Sequence, residues 1–234
     1  MAGKVYLLPI TMGDGDAKEV IPTYVIERIL SIRFFVVENI RTTRRFLRKL
    51  DSGFPIDESQ FFELNKHTKA AEIGSFLNPC TSGNNIGVMS EAGVPGVADP
   101  GSDVVAIAHQ QNIQVVPLVG PSSILMGVMA SGLNGQNFAF NGYIPIKGGE
   151  RVKRIKQLEK RMFAENQAQV FIETPYRNNA LLNDFLSNCV PEAKLCIAAN
   201  ITSEDEFIKT LKIKEWKKQK IDLNKIPTIF ILGS

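Results

Sequence analysis

The sequence contains little cysteine, histidine or tryptophan, and their scarcity excludes several classes of protein. The 234 residues include three cysteines, two histidines and one tryptophan. Because the thiols are odd in number and form no Cys-x-x-Cys pair, neither a disulfide framework nor a zinc site of cysteine and histidine is expected. His67 and His109 stand alone, so we expect helix-surface or capping positions for both. The sequence predicts no metal site.

Long hydrophobic runs and a strong charge of one sign are also absent. No apolar stretch approaches the roughly 18 residues of a membrane-spanning helix, and the run at residues 5–10 is too short for a signal peptide. The mean hydropathy of −0.02 and the formal charge of +3 are typical of a globular protein. We therefore expect a cytoplasmic protein without a membrane partner, whose mild basic excess permits an anionic partner without requiring one.

The first half of the chain alternates between short apolar runs and amphipathic segments. Runs rich in β-branched or aromatic residues without strict alternation are typical of buried strands. They are residues 4–10, 33–38, 86–90 and 114–118. Segments with helical spacing of apolar residues are 22–30, 41–50 and 102–109, the last with Ser102 as its expected cap. This succession predicts a parallel sheet with crossover helices.

A second set of elements follows Pro121. The pattern predicts helices at 122–131 and 177–188 and strands at 169–173, 195–200 and 227–232. Because the strongest glycine and proline punctuation in the middle of the chain is at Val119-Gly120-Pro121, we predict two α/β domains, 1–119 and 120–234. A ligand cleft is expected between them, since ligands often bind at domain interfaces.

Residues 90–101, Ser-Glu-Ala-Gly-Val-Pro-Gly-Val-Ala-Asp-Pro-Gly, are the most informative segment. The segment follows a predicted strand and precedes a predicted helix, which is where open α/β sheets bind ligands. Its glycines and prolines favour a stiff loop whose backbone can approach a ligand. A plain strand-to-helix turn is the alternative interpretation.

Two further turns also follow predicted strands. Residues 117–123 form either a wall of the same pocket or an interdomain linker with a capping serine. Residues 9–16 have neither a P-loop lysine nor G-x-G-x-x-G spacing, and Asp14 and Asp16 would repel a pyrophosphate. Nucleoside triphosphate binding is therefore disfavoured, while a cationic or hydroxyl-rich ligand and a solvated loop are both compatible with this segment.

Three charged segments have both a functional and a structural interpretation. In residues 38–45 a carboxylate at a strand end is a candidate general base, and the arginines after it are candidate phosphate contacts. Residues 147–161 are basic and could contact RNA. A solvated helix face explains each segment as well, and it is the favoured interpretation for 147–161 and for the lysine-rich residues 209–220.

Six segments, each present once, follow one another along the chain in a characteristic order. They are Val5-Tyr6-Leu7-Leu8-Pro9, Glu38-Asn39-Ile40-Arg41-Thr42-Thr43, residues 90–101, Val116-Pro117-Leu118-Val119-Gly120-Pro121, Asn141-Gly142-Tyr143-Ile144-Pro145 and Phe171-Ile172-Glu173-Thr174-Pro175-Tyr176-Arg177. In this order they resemble the tetrapyrrole-methylase-like (class III) S-adenosylmethionine-dependent methyltransferases. Within that class they are most similar to the branch that 2′-O-methylates a cytidine of small-subunit ribosomal RNA.

The resemblance implies two α/β domains with S-adenosyl-L-methionine in the cleft between them, and a homodimer. Carried over residue by residue, it implies cofactor contacts at Pro9, Ser90, Glu91, Ala92, Gly93, Val94, Val97, Asp99, Gly120, Pro121, Ser122, Ser123 and Tyr143. Much of this contact would come from the main chain, in agreement with the density of glycine and proline. The implied substrate is RNA of the small ribosomal subunit.

The chain departs from this branch at three places. Glu38-Asn39-Ile40-Arg41 stands where Glu-Asp-Thr-Arg is usual, Glu91 replaces an aspartate, and Met12-Gly13-Asp14 replaces Ile-Gly-Asn. These departures are compatible with a divergent paralogue that has another target.

A ribose hydroxyl needs a base to remove its proton, and our candidates are Glu38 as that base with Arg41 to orient it. Two alternatives stay open: a tetrapyrrole or other small-molecule methyltransferase, and a cofactor-binding protein without catalysis, which the loss of an acid at Asn39 would fit.

Overall fold

The computed structural model describes residues 2–64, 68 and 70–234, so His67 lies outside the described residues. The chain divides into two compact units, Met1–Ser122 and Ser123–Ser234, just after the boundary predicted at 119/120. Within the described residues each unit contains one five-stranded sheet. Both units therefore combine a sheet with helices, which confirms the predicted α/β fold class.

The sheet of the first unit is entirely parallel. Its strands are β1 (Val5–Leu7), β2 (Phe34–Val37), β3 (Gln60–Glu63), β4 (Ile86–Met89) and β5 (Val115–Pro117), in the spatial order β3-β2-β4-β1-β5. Its helices are α1 (Ala17–Val20), α2 (Thr23–Ser31), α3 (Ile40–Leu50), α4 (Ala70–Phe76), α5 (Asn78–Thr81) and α6 (Gly101–Gln110). The predicted parallel sheet with crossover helices is confirmed.

Helices cover both faces of this sheet, and each face has its own core. On one face α2 and α3 pack their apolar stripes against alternate strand residues, with Ile29, Phe35 and Leu47 fully buried. On the other face α4, α5 and α6 cover Val36 and Ile86. Since both faces are buried, the strands are continuously apolar rather than alternating.

Two details of the first unit differ from the sequence prediction. The edge strand β3, Gln-Phe-Phe-Glu, was not predicted, because it is short and its side chains are only partly covered. Helix α6 begins at Gly101, and Pro100 occupies the cap position without a side-chain cap. The predicted Ser102 cap is therefore wrong: the carboxylate of Asp99 accepts the Gly101 N–H at 2.7 Å, which leaves Ser102 inside the first turn.

The second unit has a mixed sheet. Its strands are β6 (Phe138–Tyr143), β7 (Ala168–Ile172), β8 (Lys194–Ala199), β9 (Phe207–Lys212) and β10 (Thr228–Gly233), in the order β6-β7-β10-β8-β9. Only β6 and β7 run parallel among these pairs. Its helices are α7 (Ser123–Ser131), α8 (Gly148–Glu165), α9 (Asn178–Asn188) and α10 (Ile213–Trp216). Strands β6 and β9 were not predicted because both are edge strands with partly exposed residues.

The core of the second unit lies between the sheet and helices α8 and α9. Ile155 and Leu158 of α8 and Phe185 of α9 pack with Phe171 and Phe230 of the central strands. This leaves the other face of α8 in solvent, and that face carries most of the helix's lysines and arginines. None of the helices in the part of the chain that the structure describes is long and apolar enough to cross a membrane.

Candidate functional site

The predicted ligand segments of the first unit meet at one edge of its sheet. The chain leaves β1 towards the face covered by α2, whereas it leaves the neighbouring β4 towards the face covered by α6. Neighbouring strands whose connections leave towards opposite faces form a crevice at their carboxyl ends, where open α/β sheets bind ligands. Pro9 follows β1 and Ser90 follows β4, so both predicted cofactor residues lie at this crevice.

Close backbone approach holds the loops after β1, β4 and β5 together. The N–H of Ile10 donates to the Gly93 carbonyl at 3.0 Å, and the two residues form an isolated antiparallel bridge. A Cβ atom on Gly93 would lie 2.9 Å from the Pro121 carbonyl oxygen, and one on Gly120 would lie 2.1 Å from Cβ of Pro9. The structure thus brings four predicted residues into contact, and two of them must be glycine because no side chain fits there.

Asp99 organises the loop after β4 from within. Its carboxylate accepts N–H groups of Gly96 at 3.0 Å, Val97 at 3.2 Å and Gly101 at 2.7 Å. The loop also contains backbone in the left-handed region at Gly96 and at Ala98, where φ is +63° and a side chain is disfavoured. The Asp99 side chain is therefore occupied in fixing the loop that a ligand would contact.

The other predicted cofactor residues of this loop differ in how far their side chains are exposed. Ser90 is buried, and its hydroxyl donates to the Ala92 carbonyl at 3.3 Å. Glu91, Ala92 and Val97 are exposed, while Val94 is half-buried. Exposed backbone beside small side chains suits a ligand that is recognised through main-chain N–H and C=O groups.

Glu38 follows β2, the strand next to β4, and its carboxyl group lies beside the same loop. Partial burial raises its pKa most, and the nearby carboxylates of Asp99 and Glu91 raise it further, whereas a hydrogen bond from the backbone of Glu91 lowers it. A carboxylate whose pKa is raised is a better general base than an ordinary glutamate. Glu38 therefore lies at the predicted crevice with a raised pKa, and its role as a base stays a prediction.

Arg41 is exposed in the first turn of α3. Among the described residues, no ion pair joins Arg41 to Glu38. Asn39, Arg41 and Arg44 line an open depression of about 540 Å³ beside Glu63. Arg41 is therefore exposed to solvent without an ion pair to Glu38, and its predicted role in orienting that carboxylate stays a prediction.

The remaining predicted cofactor residues lie in two places. One is the boundary between the two units, and the other is the end of β6 in the second unit. Pro121 and Ser122 end the first unit, and Ser123 is the first residue of α7. Tyr143 ends β6 with 60% of its surface exposed, and the sheet register pairs it with Ile172.

Glu173 and Arg177 of the second unit form an ion pair. Both residues belong to a segment that carries the resemblance, but the sequence alone predicted no role for either. Arg177 Nη2 donates to Glu173 Oε1 at 2.6 Å, and the Glu173 side chain is completely buried. The Tyr143 hydroxyl lies close enough to raise the pKa of Arg177, although the Glu173 hydrogen bond raises it more. The Glu-x-x-x-Arg spacing, which favours side-chain pairing, is the signal that could have assigned this pair.

The crevice of the first unit fits S-adenosylmethionine in its donor chemistry. Glycines at 93, 96 and 120 keep the backbone free of side chains, and no atom lies within 4 Å of a Cβ built on Gly96. Carboxylates at 38, 91 and 99 suit a cationic ligand that carries hydroxyl groups, and they disfavour a polyphosphate. No cluster of His, Cys, Asp and Glu within the described ranges could hold a metal ion.

Comparison with known proteins supports this interpretation. Ribosomal RNA small subunit methyltransferase I of Vibrio cholerae is 27% identical over 212 residues, which cover 90% of this chain and 69% of the relative. The protein of the same name from Synechocystis is 27% identical over 205 residues, 87% of this chain and 69% of the relative. That of Neisseria meningitidis serogroup B is 30% identical over 169 residues, 72% of this chain and 55% of the relative. No family model matches the chain.

Solved structures of methyltransferases share the fold. Diphthine synthase superposes with a TM-score of 0.68 at 14% identity, covering 99% of this chain and 90% of its own. The methyltransferase CobJ gives a TM-score of 0.63 at 13% identity, covering 100% and 95%. The chain is a methyltransferase that has the fold of these solved structures and is similar in sequence to the small-subunit ribosomal RNA methyltransferases. It uses S-adenosylmethionine, as the resemblance implies.

Proposed function

We propose that this methyltransferase transfers the methyl group of S-adenosylmethionine to a ribose 2′-hydroxyl of small-subunit ribosomal RNA. The observation that carries the proposal is the relationship, over 90% of the chain, to a protein named ribosomal RNA small subunit methyltransferase I. The position and electrostatics of Glu38 support it, because an alcohol is a poor nucleophile until its proton is removed.

The residues proposed to hold the cofactor in the first unit are the backbone groups of Ser90 to Val94 and of Gly120 to Ser122. Ser123 and Tyr143 stay cofactor contacts that the resemblance implies. When bound, S-adenosylmethionine supplies a methyl group on a sulfonium sulfur that is already electrophilic. The chain therefore has to position the hydroxyl at about 3–3.5 Å from that carbon, exclude water and accept one proton.

Glu38 is the proposed proton acceptor. Glu38 would accept the proton of the ribose hydroxyl as that oxygen takes the methyl group that bound S-adenosylmethionine would supply, with the electrons of the broken C–S bond remaining on the sulfur of the demethylated product. The raised pKa of Glu38 brings its basicity closer to what this transfer needs. The proposed role of Arg41, exposed beside it, is a contact with an RNA phosphate.

Two exposed basic helix faces support an RNA substrate. Helix α3, which begins directly after Glu38, buries only Thr43, Phe46 and Leu47 and turns its cations to solvent. These are Arg41, Arg44, Arg45, Arg48 and Lys49. Helix α8 exposes Lys153, Arg154, Lys156, Lys160 and Arg161. Phosphate contacts from lysine and arginine supply much of the affinity of proteins for nucleic acid.

The departure at Asn39 is explained by helix capping rather than by loss of catalysis. The Asn39 side chain accepts the N–H of Thr42 at 3.1 Å at the start of α3. Asparagine and aspartate are about equally good at this position, so the replacement preserves the helix start. Because Glu38 is unchanged, this observation disfavours a cofactor-binding protein without catalysis.

Methyl transfer into isolated ribosomal subunits tests the proposal. Small subunits from cells that lack the modification are incubated with radiolabelled S-adenosylmethionine and the full chain, and the RNA is digested to nucleosides. We expect label in one 2′-O-methylated nucleoside with the wild type and at least a hundredfold less with Glu38→Gln, since general bases contribute about 10²- to 10⁴-fold. No incorporation at saturating enzyme would contradict the proposal.

Methyl transfer in a cell extract distinguishes an RNA substrate from a small-molecule substrate. If the chain methylates a tetrapyrrole or another small molecule, transfer in a cell extract is insensitive to ribonuclease and depends weakly on salt. We also propose that the protein is a homodimer and that it is located in the cytoplasm. Light scattering tests the homodimer, and cell fractionation tests the location.

A further inference from the structure

Two exposed tyrosines and two cations lie together at the carboxyl ends of β6 and β7 in the second unit. Tyr176 is 73% exposed in the short turn Pro175–Arg177 after β7, and Tyr143 is 60% exposed at the end of β6. Arg177 follows Tyr176 in sequence and is within electrostatic range of the Tyr143 hydroxyl. Two exposed aromatic rings near an arginine need a reason, because burying them would stabilise the fold.

Lys225 completes the cluster from another part of the chain. Its Nζ lies 6.0 Å from the centre of the Tyr176 ring. Its backbone N–H donates to the Pro175 carbonyl at 3.1 Å, which ties the segment before β10 to the turn that carries Tyr176. The position of the lysine relative to the ring is therefore fixed by backbone contact and does not depend on a mobile side chain alone.

The guanidinium of Arg177 is also held in place. Its bond to the buried Glu173 fixes one side of the group, and Glu173 Oε1 additionally accepts the Thr174 N–H at 2.7 Å. About a third of the Arg177 side chain remains exposed. Because the bond to Glu173 already orders this side chain, Arg177 loses little further conformational entropy when it binds an anion.

We propose that this cluster, Tyr143, Tyr176, Arg177 and Lys225, binds an unpaired segment of the substrate RNA. A base stacks on the Tyr176 ring, and Arg177 and Lys225 contact the flanking phosphates. Single-stranded RNA is recognised by such combinations of exposed aromatic rings and cations, whereas paired RNA offers its bases to no ring. The inference rests on the proposed function, and it places the bound nucleotide beside Tyr143, within the segment expected to meet the cofactor.

Direct RNA binding tests the inference without requiring methyl transfer. The probe is a fluorescein-labelled single-stranded RNA of mixed sequence, compared with the same RNA annealed to its complement, and the full chain is titrated by anisotropy. We expect the wild type to prefer the single strand and Tyr176→Ala to weaken its binding roughly tenfold, in line with the effect of removing a stacking ring. Tyr176→Phe should bind like the wild type, and Lys225→Gln should reduce both affinity and salt dependence.

Matched variants control for general effects. Tyr24→Ala removes a tyrosine that is 55% exposed on α2 in the first unit, and it should leave RNA affinity unchanged. Tyr176→Leu retains apolar bulk without an aromatic face, so it should resemble Tyr176→Ala in binding and the wild type in melting temperature.

Three results would overturn the inference: no binding of the single strand by the wild type, equal affinity of the wild type and Tyr176→Ala, or equally tight binding of the duplex. Failure of the proposed function gives a different result, which is the absence of methyl transfer into ribosomal subunits. If subunits are methylated and Tyr176→Ala has the wild-type affinity for the RNA probe, only the inference fails.

Discussion

Glu38 has a position that favours its chemistry and opposes the stability of the folded chain. Partial burial and two neighbouring carboxylates disfavour its charged form, which is why its pKa is raised. The folded state therefore holds the Glu38 proton more tightly than the unfolded chain does. Functional groups that are destabilised in this way are common in active sites.

We expect Glu38→Gln to abolish methyl transfer and to stabilise the protein at neutral pH. Glutamine keeps the shape of the side chain but removes a charge that two carboxylates repel. The rate of methyl transfer and the melting temperature of the same preparation measure both effects. Glu27→Gln, which removes the charge of an exposed glutamate in α2, is a control for simple charge change and stability. Equal activity of Glu38→Gln and the wild type would remove Glu38 from the mechanism.

The raised pKa of Glu38 should also make the free energy of unfolding depend on pH. Below the ordinary glutamate pKa the carboxyl is protonated in both states and contributes nothing. As pH rises from there through the raised folded-state pKa, the unfolded chain ionises first and stability falls, after which it is level. Urea unfolding of the wild type and of Glu38→Gln between pH 4 and pH 8 measures this difference. A difference that grows with falling pH would contradict the raised pKa.

The sequence predicted the chemistry of several residues but not their contacts. Asp99 was expected to meet the cofactor, which stays a prediction, whereas the three loop amides that its carboxylate accepts were not foreseen. Arg41 was expected to orient Glu38, and it faces solvent. Residue type and strand-end position are visible in a sequence, whereas the direction of a side chain depends on packing that only the folded backbone fixes.

At the scale of elements, the carboxyl ends of β1, β4 and β5 are joined by contacts that exclude side chains. Gly120 approaches the ring of Pro9 so closely that a methyl group would overlap it. The loops after these strands therefore keep their relative positions only while residue 120 has no Cβ atom.

We expect Gly120→Ala to separate the loops after β1 and β5, to destabilise the fold by roughly 1–3 kcal/mol and to weaken cofactor binding. Gly74→Ala is the matched control, because a Cβ there would meet its nearest atom at 3.8 Å, an ordinary contact inside α4. That control should be neutral or stabilising, since alanine favours helix. Denaturant titration and calorimetry with S-adenosylmethionine measure the two effects, and unchanged cofactor affinity in Gly120→Ala would contradict the role of the crevice.

The basic face of α8 gives a second element-scale prediction. Changing Lys153, Arg154, Lys156 and Lys160 together to glutamine should lower RNA affinity at least tenfold. The slope of log affinity against log salt should fall by up to about 3, because each phosphate contact with a single strand contributes about 0.7 to that slope. The matched control changes Lys217 and Lys218, exposed lysines near α10, to glutamine. If both sets of variants lose affinity equally per charge, α8 has no special part in RNA binding.

Strands with continuously apolar sequences were predictable, including the edge strand β5, whereas strands with mixed sequences were not. Buried strands such as β2 and β4 have apolar sequences that leave no other interpretation. The edge strands β3, β6 and β9 mix polar and apolar residues, because one side of each is open, and so their sequences resemble loops.

At the scale of the whole molecule, the few cysteines of the chain share one kind of environment. All three thiols are buried: Cys80 and Cys196 completely, and Cys189 almost so. Burial raises the pKa of Cys80 to about 11, and it raises the pKa values of the other two thiols as well. The three thiols are therefore protonated at neutral pH and out of reach of reagents.

We expect the native protein to react with a thiol reagent far more slowly than the unfolded chain. The thiolate is the reactive form, and it becomes available only when the cores open. Absorbance with Ellman's reagent at pH 8, in buffer and in 6 M guanidinium, should show three thiols in denaturant and almost none at early times in buffer. Rapid modification of one thiol in buffer would contradict the buried position of that cysteine.

A protein whose natural sulfhydryl groups are shielded can be labelled at a chosen point without first removing them. A cysteine introduced at an exposed site such as Tyr24 would take a single maleimide dye under native conditions. Energy transfer from that dye to a labelled RNA would then report on where the substrate lies along the surface, in the otherwise natural chain.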